Sequence, residues 1–147
     1  MHKRNEFRKT ISISGLDIFV EDMKILKREI EKNLGYKVIL PIRRDIDKEY
    51  NKLTYAQKIE IESYFVSIVL GRIEKSDALL VANYQYNGTA NYVSPTSFME
   101  MCFAYSLNKK IFLLDFYPNP PNIAEVLGMD PIVLSGNTDL IGSYIND

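Results

Sequence analysis

The stretch that decides the fold is Asp77-Ala78-Leu79-Leu80-Val81-Ala82, which is apolar after its first residue. A near-continuous apolar run of strand length is typical of a β-strand that is covered on both faces. A second apolar run, Ile111-Phe112-Leu113-Leu114, follows one helical segment later. Parallel neighbours need a crossover connection, which is usually a helix, so these runs predict strands of a parallel sheet.

Strands and helices alternate along the rest of the chain as well. The sequence predicts strands at 10–14, 36–40 and 132–134, helices at 21–34, 54–75, 94–108 and 122–129, one more helical turn at the end, and loops at 43–53 and 83–92. This alternation predicts a three-layer α/β fold. The expected architecture is a flavodoxin-like or Rossmann-like five-stranded parallel sheet in the order 2-1-3-4-5, with helices on both faces.

Length and charge limit the possible partners. The 147 residues are predicted to form one domain, in which residues 1–9 are a flexible basic tail. The net charge is -1, so the chain lacks the basic surplus of a protein that binds nucleic-acid polymers. No apolar run reaches the ~18 residues of a membrane span. We therefore expect a cytoplasmic protein whose partner is a small molecule.

The cysteine and histidine content excludes several kinds of metal site and catalytic mechanism. Cys102 is the only cysteine, so no internal disulfide can form, and His2 is the only histidine. Most zinc sites and every Ser-His or Cys-His nucleophile system are thereby excluded. We predict neither a metal nor another cofactor. Acid–base chemistry must then use carboxylates, tyrosines, lysines or water.

The predicted topology places a ligand crevice at the carboxyl ends of strands one and three, where the winding reverses. The candidate ligand-binding residues in the loops and helix start at that edge are Ser14, Gly15, Asp17, Asn83, Tyr84, Tyr86, Ser94, Thr96 and Ser97. Ser94 is a good N-cap, and a helix N-terminus favours an anion. Plain capping explains Ser94 equally well.

Other residues near the crevice allow two interpretations each. Tyr84 and Tyr86 either stack on a base or simply pack in their loop. Arg43 and Arg44 follow strand two and either reach a phosphate or form a solvated charge run. Cys102 is predicted to be a small buried hydrophobe.

Glu100 is the exceptional residue of the third long helix. Its neighbours Phe98, Met101, Cys102 and Tyr105 are apolar, which predicts a helix that is apolar nearly all round and largely buried. A carboxylate in such a place is costly unless something pairs with it. We expect Glu100 to serve as a nucleophile, a base or an acceptor for a sugar hydroxyl. The alternative is a structural carboxylate bonded to backbone N–H groups or to a basic partner.

Four segments together resemble a known family. They are Ile11-Ser12-Ile13-Ser14-Gly15, Ser76 to Val81, Ser94 to Ala104 and Asn108 to Leu114. They are similar to the nucleoside 2-deoxyribosyltransferase-like superfamily, including its 2'-deoxynucleotide N-hydrolase branch. The resemblance implies an enzyme in which a glutamate at the position of Glu100 attacks the anomeric carbon of a 2-deoxyribosyl group. It also implies that Ser94 contacts a 5'-phosphate, and that the protein is a homo-oligomer, dimeric or larger.

Two departures from the family pattern keep alternatives open. Val69 stands where the hydrolase branch has an acid, and Glu62, seven residues earlier on the same face, is a candidate replacement. The segment Ser94 to Met99 lacks the usual glycines. These departures favour a catalytically inactive nucleotide-binding or sensing module on the same fold. A third alternative is an interaction domain with a filled crevice.

Overall fold

The computed structural model describes residues 9–42, 47–120 and 123–145. Within these ranges, five parallel strands form one sheet in the order β2-β1-β3-β4-β5. The strands are β1 (Thr10–Ser14), β2 (Lys37–Ile39), β3 (Ala78–Val81), β4 (Lys110–Leu113) and β5 (Ile132–Val133). The predicted fold class and strand order are confirmed.

Helices connect the strands as predicted, with small differences at their ends. They are α1 (Val20–Leu34), α2 (Lys48–Asn51), α3 (Tyr55–Glu74), α4 (Pro95–Ser106), α5 (Ile123–Gly128) and α6 (Ile141–Tyr144), with short 3-10 helices at Asp17–Phe19 and Thr138–Leu140. In the described part of the chain, none of them has both the length and the apolar character that crossing a membrane requires.

The sheet register brings three strand ends to one level. Ser14 of β1 pairs with Val81 of β3, and Val81 pairs in turn with Leu113 of β4. The loops that follow these strands therefore leave the sheet side by side. The winding reversal, where the sequence predicts a ligand crevice, lies between β1 and β3 at this edge.

Apolar cores cover both faces of the sheet. On one face Ile30 of α1 and Ile141 of α6 pack against the strands. On the other face the packing residues include Ile73 of α3, Met101 of α4 and Val126 of α5. Helices on both sides of one sheet make the three layers expected from the sequence.

Strand β1 presents different chemistry to its two faces. Ile11 and Ile13 belong to the core under α1. Ser12 and Ser14 alternate with them and so point to the opposite face, toward α3 and α4. Both serines are buried, so their hydroxyls need partners inside the protein. These two side chains place hydroxyl groups on the face of the sheet that α3 and α4 cover.

The loop predicted at 43–53 is partly wrong. Its described part contains the short helix α2, because the Asp47 side chain accepts a hydrogen bond from the Tyr50 backbone N–H at 3.0 Å and caps a helical turn. Residues 43–46, with Arg43 and Arg44, lie outside the described residues, as does the basic tail up to residue 8. The predicted Thr54 cap of the next helix is confirmed.

The prediction that α4 is buried nearly all round is wrong on one side. Its buried residues are Ser97, Glu100, Met101 and Ala104, which share one face at spacings of three and four. Cys102 lies outside this stripe and is exposed, which contradicts its expected burial. The helix packs on the sheet and on α3, and several of its remaining apolar side chains face outward.

Candidate active site

Helix α4 begins, with a complete N-cap, at the edge of the sheet where the carboxyl ends of the parallel strands lie. The Ser94 hydroxyl accepts a hydrogen bond from the Ser97 backbone N–H at 3.0 Å, and Pro95 occupies the first helical position. A serine cap followed by proline is what a helix start of this kind requires. Capping therefore explains the hydrogen bond that the Ser94 hydroxyl oxygen accepts.

Three buried serine hydroxyls meet beneath this cap. Ser14 Oγ donates to Ser97 Oγ at 2.7 Å, and Ser94 Oγ donates to the same oxygen at 3.1 Å. A hydroxyl has two acceptor sites and one donor. With both acceptor sites of Ser97 filled, its own proton remains to be donated. The cluster thus has one outgoing donor, on the face of α4 that also carries Glu100.

Glu100 lies in the second turn of α4 and is only 6% exposed. Burial raises the pKa of its carboxyl to about 7, and the Arg72 guanidinium and the Ser14 hydroxyl partly oppose that rise. The Ser14 proton can point to Ser97 or to Glu100, because a hydroxyl rotates to suit its partner. Because the pKa of Glu100 is about 7, its carboxyl exists in both protonation states near neutral pH.

Arg72 is a site residue that the sequence reasoning missed. It lies in the last turn of α3, and its guanidinium interacts electrostatically with Glu100. Burial lowers the pKa of Arg72, and the Glu100 charge opposes this change. The available signal was a lone arginine within the apolar stretch from Ile68 to Ile73, since a charge in such a stretch needs a partner.

Asn83 joins two loops through hydrogen bonds of its side-chain amide. It is buried at the end of β3, where its amide donates to the Phe116 carbonyl at 2.9 Å and its side-chain oxygen accepts from the Asp115 N–H at 2.8 Å. Both polar ends of the amide are engaged, so Asn83 fastens the loop after β3 to the loop after β4.

The two candidate tyrosines are placed differently from each other. Tyr84 packs against the core under α1, with its ring centroid 5.0 Å from that of Phe19, and burial raises its pKa to about 12. Tyr86 lies in a small hairpin with its ring centroid 5.2 Å from that of Tyr92, and it is 37% exposed. The ring of Tyr86 is partly exposed, whereas the ring of Tyr84 is largely buried.

The remaining predicted residues lie just after β1 or in the first turn of α4. A Cβ on Gly15 would lie 2.9 Å from Met23 Sδ, so the backbone here passes close to the α1 core. Asp17 opens the first 3-10 helix. Thr96 is exposed in the first turn of α4. The structure thus brings Ser14, Ser94, Ser97 and Glu100 together, while the others lie around them.

The candidate acid Glu62 lies on the outer side of α3. It accepts a hydrogen bond from the Tyr50 hydroxyl at 3.0 Å, and it lines a groove with Ile59 and Val66. Val69 is half-buried on the same helix. The described residues include no group of three or more His, Cys, Asp or Glu side chains suited to a metal.

A separate cavity of about 440 Å³ opens beside the same loops. Its walls include Tyr92, Val93, Pro95, Phe98 and Pro118, and Glu100 is not among them. The buried carboxyl therefore faces α3 and β1, while this cavity lies along another side of α4.

The fold and these side chains define a three-layer α/β protein with a buried carboxyl at the winding reversal of its sheet. No protein-family model and no curated protein matches the chain. Among solved structures, it is similar to the CMP N-glycosidase BcmB of Clostridium botulinum, with 16% identity, a TM-score of 0.49, and 85% of each chain covered. It is also similar to a 2-deoxyribosyltransferase of Bacillus psychrosaccharolyticus, with 14% identity, a TM-score of 0.46, and coverage of 71% of this chain and 70% of the other.

The second of these proteins bears the name of the family that the sequence resembles. At such low identities and TM-scores, neither likeness assigns an activity to this chain. Its chemistry is inferred below from its own side chains.

Proposed function

We propose that the chain is an N-glycosidic-bond enzyme with Glu100 as its nucleophile. Its substrate is a deoxynucleoside or the 5'-monophosphate of one, whose 2-deoxyribosyl group is cleaved off or transferred. The observation that carries this proposal is the Glu100 carboxyl, which is 6% exposed, lies in the second turn of α4, and has its charged form favoured by the Arg72 guanidinium and the Ser14 hydroxyl. Burying an ionised carboxyl costs free energy unless the charge is paired and hydrogen-bonded.

In the proposed reaction, a Glu100 oxygen attacks the anomeric carbon while the bond to the base breaks. The electron pair of that bond leaves with the base, which takes up a proton from water. Water or a second base then attacks the same carbon, releases the Glu100 carboxylate and gives up one proton to the solvent. This two-step route is the logic of retaining glycosidases. Only the ionised carboxyl can attack, so the rate should rise with pH through about 7.

The start of α4 supports a phosphate subsite. Thr96 is exposed in the first turn, and the Ser97 hydroxyl has a proton left to donate. The Thr96 backbone N–H and the positive end of the helix dipole favour an anion at the same place. We propose that Ser94, Thr96 and Ser97 bind the 5'-phosphate, and that Ser14, Gly15, Asp17, Asn83, Tyr84 and Tyr86 surround the nucleoside.

We also propose that two or more copies associate through α3. Ile73 is the buried residue of this helix, while Tyr55, Ile59 and Tyr64 are strongly exposed. Exposed apolar surface of this kind marks contact sites. Ile59→Glu should lower the mass measured by light scattering. A wild-type protein that is monomeric at high concentration would contradict the association.

The function is tested by chromatography for free base. The purified protein is incubated with deoxynucleosides and their 5'-monophosphates, with Glu100→Gln alongside. Glu125→Gln is the matched control, because Glu125 is an exposed carboxylate on α5. We expect base release from wild type and from the control, and none from Glu100→Gln. Equal release from all three would exclude Glu100 as the nucleophile.

One observation favours a non-catalytic binding module as a second candidate. Val69, not an acid, stands where the hydrolase branch carries one, and Glu62 is bonded to Tyr50. A module of this kind binds a nucleotide without releasing the base. The ligand would then raise the melting temperature by mass action. Stabilisation by an intact deoxynucleotide, with no base released, would support this candidate over the enzyme.

A further inference from the structure

We propose that the cavity beside the start of α4 is a second binding site, which takes an uncharged, planar heteroaromatic molecule that carries a hydrogen-bond donor next to an acceptor. The cavity has a volume of about 440 Å³ and lies between the loop after β3, the loop after β4 and the first turn of α4. Small-molecule pockets have volumes of roughly 300–1,000 Å³. This inference goes beyond the glycosidic function and does not depend on it.

The cavity is separate from the site around Glu100. Phe98 lines the cavity, and Glu100 is not among the described residues that line it. Residues two apart in an α-helix point in directions that differ by roughly 200° around the axis. Phe98 and Glu100 therefore lie on opposite sides of α4. A molecule in the cavity does not occupy the place from which Glu100 would attack a sugar.

Hydrogen bonds hold the loop walls of the cavity in place. The Asn91 side-chain amide donates to the Tyr117 carbonyl at 3.3 Å, which joins the loop after β3 to the loop after β4. Tyr86 and Thr89 exchange two backbone hydrogen bonds of 2.9 Å, and the Tyr92 ring packs against the Tyr86 ring. A site whose walls are already ordered loses little conformational entropy when a ligand binds.

The apolar part of the lining is suited to a flat ring. Tyr92 and Phe98 contribute aromatic side chains. Pro95, Pro118 and Pro120 contribute rigid apolar rings. Two aromatic rings in offset or edge-to-face contact gain free energy beyond the burial of their area. A saturated ring of the same size would bury similar apolar surface without this gain, so the lining favours an aromatic ligand.

The polar part of the lining favours an uncharged ligand. Thr89, Asn91 and Asn119 supply one hydroxyl and two amides. None of the described residues that line the cavity is Lys, Arg, His, Asp or Glu. A charged ligand would lose water here without meeting an opposite charge. An asparagine amide has donors and an acceptor, so it pairs with a ligand edge that carries an acceptor beside a donor, as it does with adenine.

Three probes of similar size separate these requirements. Nicotinamide is an uncharged heteroaromatic carboxamide, nicotinate is its anionic counterpart, and cyclohexanecarboxamide has a saturated ring. Each is titrated into ¹⁵N-labelled wild-type protein and followed by NMR. Nicotinamide should move the backbone amide signals of Thr89, Asn91 and Phe98 with a Kd of about 1 mM or lower. Cyclohexanecarboxamide should bind about two- to tenfold more weakly, and nicotinate about tenfold more weakly or worse.

Variants of the lining locate the binding. Phe98→Leu removes an aromatic ring and should weaken nicotinamide binding about two- to tenfold. Phe103→Leu is the matched control, because Phe103 also packs partly against the core under α4 but does not line the cavity. Thr89→Trp places a large ring at the wall and should abolish saturable binding. The hydrogen bonds between Thr89 and Tyr86 are made by the backbone, so this variant keeps them. If Phe98→Leu does not fold, Thr89→Trp decides.

Several results would overturn the proposal. The first is the absence of saturable shifts at Thr89, Asn91 and Phe98 with nicotinamide up to about 10 mM. Equal affinities for nicotinamide and nicotinate would remove the preference for an uncharged ligand, and equal affinities for nicotinamide and cyclohexanecarboxamide would remove the preference for an aromatic one. An unchanged Kd in Thr89→Trp would show that nicotinamide binds elsewhere.

Base release separates this site from the proposed function. Nicotinamide binding in the cavity, with no base released from any deoxynucleoside or its 5'-monophosphate, would leave this site standing and remove the enzyme. Base release without nicotinamide binding would do the reverse. Nicotinamide-induced shifts confined to the signals of Ser14 and Glu100 would place the ligand at the other site and overturn the inference.

Discussion

Replacing Glu100 by glutamine should make the protein more stable at alkaline pH. The pKa of this carboxyl rises from 4.5 to about 7 on folding, mainly because the group is buried. Each pH unit of difference corresponds to about 1.4 kcal/mol. The folded state therefore loses about 3 kcal/mol when the buried carboxyl must ionise, a large part of the ~5–15 kcal/mol that holds a typical domain together.

The sign of this effect follows from proton binding. Between pH 4.5 and about 7, the folded protein keeps a proton on Glu100 that the unfolded chain has lost. The unfolding free energy then falls as pH rises across this window, and the loss is complete above about pH 7. Glutamine has the shape of the protonated acid and does not titrate, so the variant escapes this loss.

Urea denaturation at several pH values from about 5 to about 8 would measure the effect. The two proteins should be similar near the acidic end, and Glu100→Gln should be more stable by about 3 kcal/mol at the alkaline end. In melting temperature this corresponds to roughly 6–12 °C for a chain of this size. Subtracting the curves removes the titration of all other groups. Parallel curves for wild type and variant would refute the reasoning that burial has shifted this carboxyl, and Glu125→Gln should lie on the wild-type curve.

Three further predictions concern other parts of the chain. Thr54→Ala removes the capping box that opens α3 and should lower the unfolding free energy by about 1 kcal/mol; an unchanged urea midpoint would contradict the cap. Gly15→Ala places a methyl group 2.9 Å from Met23 Sδ and should cost about 1 kcal/mol in the same assay, so a stabilised variant would show that this approach is looser than described. Cys102 is exposed and should react with a thiol reagent in the native protein about as fast as in urea; protection in the native state would restore the burial expected from the sequence.

The fold was largely readable from local patterns. The apolar run at β3 and its counterpart at β4 required strands covered on both faces, and the intervening helical segments required parallel crossovers. Thr54 and Ser94 marked helix starts through capping chemistry that acts within a few residues. The sequence missed the α2 turn because its cap, Asp47, stands within a polar stretch with no apolar periodicity.

Sequence by itself determined the alternation of strands and helices and singled out Glu100, because hydrophobic periodicity and a charge in an apolar helix are local signals. Tertiary structure alone decided which residues influence the charge of that carboxyl. Arg72 lies on a different helix, and its approach depends on how α3 and α4 pack over β1. The outward position of Cys102 was decided in the same way, since the covered face of α4 depends on its neighbours. Contacts between residues distant in the chain follow from packing, which no local pattern encodes.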